Sequence, residues 1–89
     1  MTNSSRSKAE IVCQILETAN AGDDGATKTK LMYRAFLSHD QLQEYLMLLI
    51  ESDLLSYDST MRTFKTTEKG VTFLQAYNQI DQILKEQQT

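Results

Sequence analysis

The chain reads as a mainly helical α+β domain: three short helices, a two-stranded hairpin and a long C-terminal helix. Three observations point there. Apolar residues recur at helical spacing in four separate stretches. Two of those stretches lie within residues 25–55, with only about two residues between them. Helices joined that tightly must cross sharply, which is a helix-turn-helix arrangement. Between the third and fourth stretches, two short runs containing Tyr57 and Phe64 flank turn residues, as in a hairpin.

Ser7 and Glu10 form a capping box for the first helix, and Ile11, Val12, Ile15, Leu16 and Ala19 make its apolar stripe. Residues 1–6 ahead of it are Ser/Asn-rich and are expected to fray. Ala21-Gly22-Asp23-Asp24-Gly25 ends the helix in a turn. Thr27 caps the second helix, which turns Leu31 and Ala35 to the core. The third helix is the best marked. Leu42, Tyr45, Leu46, Leu49 and Ile50 follow i, i+3, i+4, i+7, i+8, and Ser38 with Gln41 closes a second capping box. It stops near Ser52-Asp53. Leu54-Leu55-Ser56-Tyr57 then reads as a strand, Asp58-Ser59-Thr60 as a turn, and residues 61–66 as the return strand. Thr67 caps the last helix, whose apolar positions are Phe73, Leu74, Tyr77, Ile80, Ile83 and Leu84.

The 89 residues make a single structural unit near the lower limit for a self-sufficient core. Residues 1–66 are expected to form the helix-turn-helix domain and residues 67–89 a dimerisation helix. One cysteine, Cys13, excludes an internal disulfide and is read as a packing residue. No apolar run reaches the roughly 18 residues needed to span a membrane, and the polar N-terminus does not look like a signal peptide. A soluble, cytoplasmic, nucleoid-associated protein is expected. Catalysis is not. One His and one Cys supply no metal-ligand set, and Ser38-His39-Asp40 are helix neighbours pointing in different directions. No glycine-rich phosphate loop is present, and no metal or cofactor is expected.

Gly25-Ala26-Thr27-Lys28-Thr29-Lys30, Met32-Tyr33, Leu37-Ser38 with Gln41-Leu42 and Tyr45-Leu46, and Thr67-Glu68-Lys69-Gly70 before Phe73-Leu74 together carry a resemblance. The chain resembles the small archaeal winged-helix proteins of the crenarchaeal ten-kilodalton chromatin-associated type, over residues 8–84. The resemblance implies an α+β winged helix-turn-helix, an extra C-terminal helix pairing with its twin in an antiparallel coiled coil, and binding of double-stranded DNA. It departs from the type at Asp53, where Gly is usual, and in its acidity.

The dimer also follows from length. The last helix would run roughly 30 Å at 1.5 Å per residue. The other elements cover its first half, leaving an apolar stripe for a partner helix. Phe73, Tyr77, Ile80, Ile83 and Leu84 are the expected dimer residues. The alternative is a monomer whose last helix folds back over the first.

In a helix-turn-helix the start of the second helix meets base edges. Here its outward face carries Asp40, Gln43, Glu44, Met47 and Glu51, with His39 at the start and Gln41 at one edge. His39, Gln41 and Gln43 are the candidate base contacts. Lys28, Lys30 and Arg34 on the second helix, Tyr33 beside them and Arg62 on the hairpin are the candidate phosphate contacts. Lys30 and Arg62 are expected to clamp the backbone. Against this stand a net charge of -3 and the carboxylates on the reading face, because duplex affinity rests largely on cations. Two readings therefore stand: a DNA-binding transcriptional regulator or chromatin component, or a winged helix that docks a protein through Met47, Leu48 and the wing.

Overall fold

The computed structural model describes residues 6–87; the expected fraying of residues 1–5 lies outside the described residues. The element order is α1 (Lys8–Ala21), α2 (Lys28–Ala35), α3 (His39–Glu51), β1 (Leu55–Asp58), β2 (Thr63–Thr66) and α4 (Glu68–Gln87). The strands pair antiparallel, Leu55 opposite Thr66 and Asp58 opposite Thr63. The molecule measures 47 × 28 × 22 Å.

Each helix start is set by chemistry within four residues. Ser7 and Ser38 both make complete capping boxes, with Glu10 and Gln41 respectively. Thr27 Oγ1 accepts from the Lys30 amide at 3.2 Å. Thr67 Oγ1 accepts from the Gly70 amide at 3.0 Å and donates to the Asp53 carbonyl at 2.7 Å.

The helix ends of the helix-turn-helix are less ordinary. Both α2 and α3 close with the paired bonds of a Schellman motif. For α2 these run from the Phe36 and Leu37 amides to the Tyr33 and Met32 carbonyls; for α3, from the Asp53 and Leu54 amides to the Ile50 and Leu49 carbonyls. The motif needs a left-handed residue, normally Gly. Here Phe36 (φ 54°) and Asp53 (φ 63°) take that place. The connection between α2 and α3 is residues 36–38, one longer than expected, because the left-handed Phe36 belongs to the turn.

The core lies where α1, α2 and α3 meet the hairpin. Ile15, Leu16, Leu31, Leu42, Leu49 and Leu55 are almost completely buried. Burying each such side chain contributes about 1.5–3 kcal/mol, which a short chain needs. Ala26 exchanges both backbone hydrogen bonds with Phe64, at 2.9 and 2.8 Å, adding a one-residue third rung to the hairpin. Gly25 makes that rung possible. Its φ is 86°, and a Cβ there would stand 2.4 Å from the Phe64 carbonyl oxygen.

Thr67-Glu68-Lys69-Gly70 acts as a clasp between α4 and the end of α3. Besides the Thr67 bonds, Lys69 Nζ donates to the Ser52 carbonyl at 2.9 Å. Gly70 presses on the Leu54 carbonyl, which a Cβ would approach to 2.4 Å. The near half of α4 then lies on α1, with Leu74 buried and Phe73 and Tyr77 packed partly into the core.

Two sequence expectations change. Ile50 does not join the core stripe; it is 42% exposed, because α3 turns only Leu42, Leu46 and Leu49 fully inward. The return strand begins at Thr63 rather than residue 61. Asp58 Oδ1 accepts from the Thr60 and Met61 amides at 2.9 and 3.2 Å, and Arg62 is left-handed (φ 57°). Those residues belong to the turn, and Arg62 sits at its end.

Candidate nucleic-acid interface

The leucines that dock α3 decide what its other side presents. With Leu42, Leu46 and Leu49 inward, His39, Asp40, Gln41, Gln43, Glu44, Met47, Ile50 and Glu51 are all exposed. At 100° per residue they fall into two strips. His39, Gln43, Met47 and Ile50 lie toward the hairpin, while Asp40, Glu44 and Glu51 lie beside them.

A groove of about 560 Å³ runs between α3 and the hairpin. Its floor is Leu46 and Phe64, and Met47, Ile50 and Tyr57 continue the apolar lining toward the mouth. Tyr57 and Phe64 face each other across the strands, ring centroids 4.8 Å apart. Lys28, Gln43, Glu51 and Arg62 form its polar rim. Lys28 Nζ donates to Gln43 Oε1 at 3.0 Å, so the first residue of α2 holds a side chain of α3.

The structure therefore brings together Lys28, Gln43 and Arg62 from three elements. Lys30, Tyr33 and Arg34 are exposed but do not line this groove. Lys30 and Arg34 are four residues apart and share one side of α2, about half a turn away from Lys28. The expected partner of Arg62 across the reading face was Lys30; the cation that shares the groove with Arg62 is Lys28. Gln41 Oε1 accepts from the Ser38 amide at 2.9 Å, so one end of that amide serves the cap. His39 and Asp40 stand 3.6 Å apart as a solvent-exposed pair. Arg6 is tied to the Gln14 side chain and, at 3.4 Å, to the Phe36 carbonyl.

Sequence reasoning missed the groove itself. By pattern alone Tyr57 and Phe64 are strand residues and Ile50 belongs to the core stripe. The available signal was Gln43, Met47 and Ile50 at i, i+4, i+7, a second stripe offset from the leucines. The exposed Phe36 at the α2–α3 turn was also unforeseen.

Cys13 is buried, and its thiol is pushed up to about 11 by burial first, then by the charges of Glu17 and Asp81. Such a thiol is inert at neutral pH. Among the described residues no group of three or more His, Cys, Asp and Glu is placed to hold a metal ion. Nor is any helix there long and apolar enough to cross a membrane.

A helix-turn-helix with its second helix facing outward, followed at once by a two-stranded hairpin beside that helix, defines a winged helix. The chain belongs to the winged helix-turn-helix family, whose model matches residues 5–85. Among solved structures it is similar to Sso10a-2, a DNA-binding protein from Sulfolobus solfataricus, with a TM-score of 0.75. The two are 21% identical, over 91% of this chain and 84% of that one. At that identity the likeness speaks for the fold, and it meets the resemblance to small archaeal winged-helix proteins at that level. No curated protein matches the sequence significantly.

Proposed function

We propose that this protein binds double-stranded DNA as a homodimer and serves as a transcriptional regulator or chromatin-associated protein of the nucleoid. The observation that carries the reading is the open face of α3, with its long side exposed and Lys28 and Arg62 on the rim beside it. In this reading residues 39–43 enter the major groove, and His39, Gln41 and Gln43 meet base edges. Lys28, Lys30, Tyr33, Arg34 and Arg62 contact phosphates and set register. The family and the likeness to a DNA-binding protein of Sulfolobus support it.

The dimer would form through residues 67–89. Ile80, Ile83 and Leu84 are more than half exposed on the far part of α4, at the spacing of a coiled-coil seam. Phe73 and Tyr77, partly engaged in their own protomer, would close its near end. In a dimer the cationic sites of two protomers would act on one duplex, against a net charge of -3 on each chain.

The apolar floor of the groove favours a second reading, a winged helix that docks a protein segment through Met47, Leu48 and the wing. A titration of random-sequence duplex at two salt concentrations separates the two. DNA binding predicts affinity that falls steeply with salt, by a log–log slope of about 0.9 for each phosphate contacted. The double variant Lys30→Glu, Arg62→Glu should abolish it. No binding even at about 50 mM salt, where phosphate contacts are strongest, would leave the protein-docking reading.

A further inference from the structure

We propose that α3 selects A·T pairs by seating thymine C5-methyl groups on Met47 and Ile50, at the mouth of the groove between α3 and the wing, while Gln43 reads the adjoining adenine; this rests on the DNA-binding reading above.

α3 carries no cationic fork for guanine. None of its thirteen residues, HDQLQEYLMLLIE, is Lys or Arg. Guanine shows two acceptors, N7 and O6, to the major groove, and its usual reader is a cationic fork. The outward face of α3 instead offers carboxylates, which would repel those acceptors. The nearest cation, Lys28, already donates to Gln43 Oε1. An A·T pair presents an amino donor on adenine and a methyl group on thymine. Carboxylate and carboxamide oxygens suit the first, and bare apolar surface suits the second.

That apolar surface is present and placed. Met47 and Ile50 are 55% and 42% exposed, one and two turns beyond Gln43 on the same strip. They are contiguous with the buried floor at Leu46 and Phe64, so a methyl group there would leave water for an apolar surround. The Lys28 bond fixes which end of the Gln43 amide is oxygen; the second lone pair of Oε1 then accepts from adenine N6 while Nε2 donates to N7. Charge complementarity sets the occupant. Lys28 and Arg62, two cations against the single carboxylate of Glu51, stand on the rim of the same groove, where phosphates flanking a base edge would meet them. An acidic protein that cannot draw its affinity from many cations would thus gain part of it from methyl burial.

The test compares synthetic duplexes of alternating adenine and thymine with the same duplexes carrying uracil for thymine, by fluorescence anisotropy at fixed salt. Loss of each seated methyl should weaken binding about fourfold, with the salt slope unchanged. Met47→Gln, a solvent-exposed substitution that circular dichroism should show to be folded, should draw the thymine-to-uracil ratio toward one. Salt-dependent binding of both duplexes with equal affinity would overturn the methyl contact and leave DNA binding standing. A ratio that persists in both Met47→Gln and Ile50→Gln would overturn the assignment to this strip. Absence of salt-dependent binding to any duplex would overturn the DNA reading and this inference with it.

Discussion

The groove beside α3 and the far half of α4 both expose apolar side chains, and they differ in everything else. The groove is concave, backed by buried Leu46 and Phe64, and rimmed by Lys28, Gln43, Glu51 and Arg62. The far half of α4 carries a stripe of Ile80, Ile83 and Leu84 on a helix whose packing against the core ends near Tyr77. An ion pair there, Asp81 with Lys85 at 3.2 Å, runs along the same helix. A concave patch with fixed polar groups suits a partner of specific chemistry. A periodic stripe without them suits another helix with the same repeat. Exposure alone does not assign a role; shape and polar neighbours do.

The sharpest way to break the comparison is to charge the stripe. The double variant Ile80→Glu, Ile83→Glu should convert a dimer into a monomer at micromolar concentration. Across a two-fold seam four buried isoleucines are lost, which at about 1.5 kcal/mol or more each weakens association beyond a thousandfold. Because both residues are exposed in the protomer, the fold should persist. A sedimentation mass of one chain for the parent protein would remove the assigned role of the stripe.

A second measurement locates the boundary between the near and far halves of α4. Cys13 on α1 lies under the near half, close to Tyr77 and Asp81. With its pKa raised to about 11 from 9.0, its thiolate fraction at pH 8 should be about a hundredfold below that of an unperturbed thiol. Alkylation should slow accordingly and quicken with pH until about 11. The sign for stability follows from linkage. The unfolded thiol ionises first, so this contribution is complete below about pH 9 and is lost as pH rises through about 11. Fast alkylation at pH 8 would mean that the near half of α4 is not seated on α1.

The groove can be tested without touching the stripe. Arg62→Glu alone should lower duplex affinity about tenfold and flatten the salt slope by about one contact, leaving the oligomeric mass unchanged. The smallest effects belong to neither surface. Phe36→Gly and Asp53→Gly should each raise stability by about 0.5–1 kcal/mol in urea unfolding, since each relieves a left-handed side chain. Phe36 is 80% exposed and gives up little packing.

What could be read from the sequence was short-range. Ser7 with Glu10, Ser38 with Gln41, Thr27 and Thr67 act over three residues, so spelling and geometry coincide. The leucine stripe of α3 was legible for the same reason. The edges were not. Ile50 differs from Leu49 by 100° of rotation, and only the position of the hairpin decides which of them is covered. Lys28 and Lys30 differ by two residues, yet only one meets Gln43. Thr67-Glu68-Lys69-Gly70 was legible as a motif, but its work as a clasp on Ser52, Asp53 and Leu54 was not.

The sequence by itself determined four helices and a hairpin, their N-caps, the inward leucines and the apolar stripe at the far end of α4. These follow from periodicity and from hydrogen bonds between near neighbours. The tertiary structure decided that Met47 and Ile50 border a groove rimmed by Lys28, Gln43, Glu51 and Arg62, and that Ile80, Ile83 and Leu84 stay uncovered in the protomer. That outcome depends on where β1 and β2 come to rest beside α3 and how far α1 reaches along α4. Contacts between residues distant in the chain set both, and no local pattern encodes them.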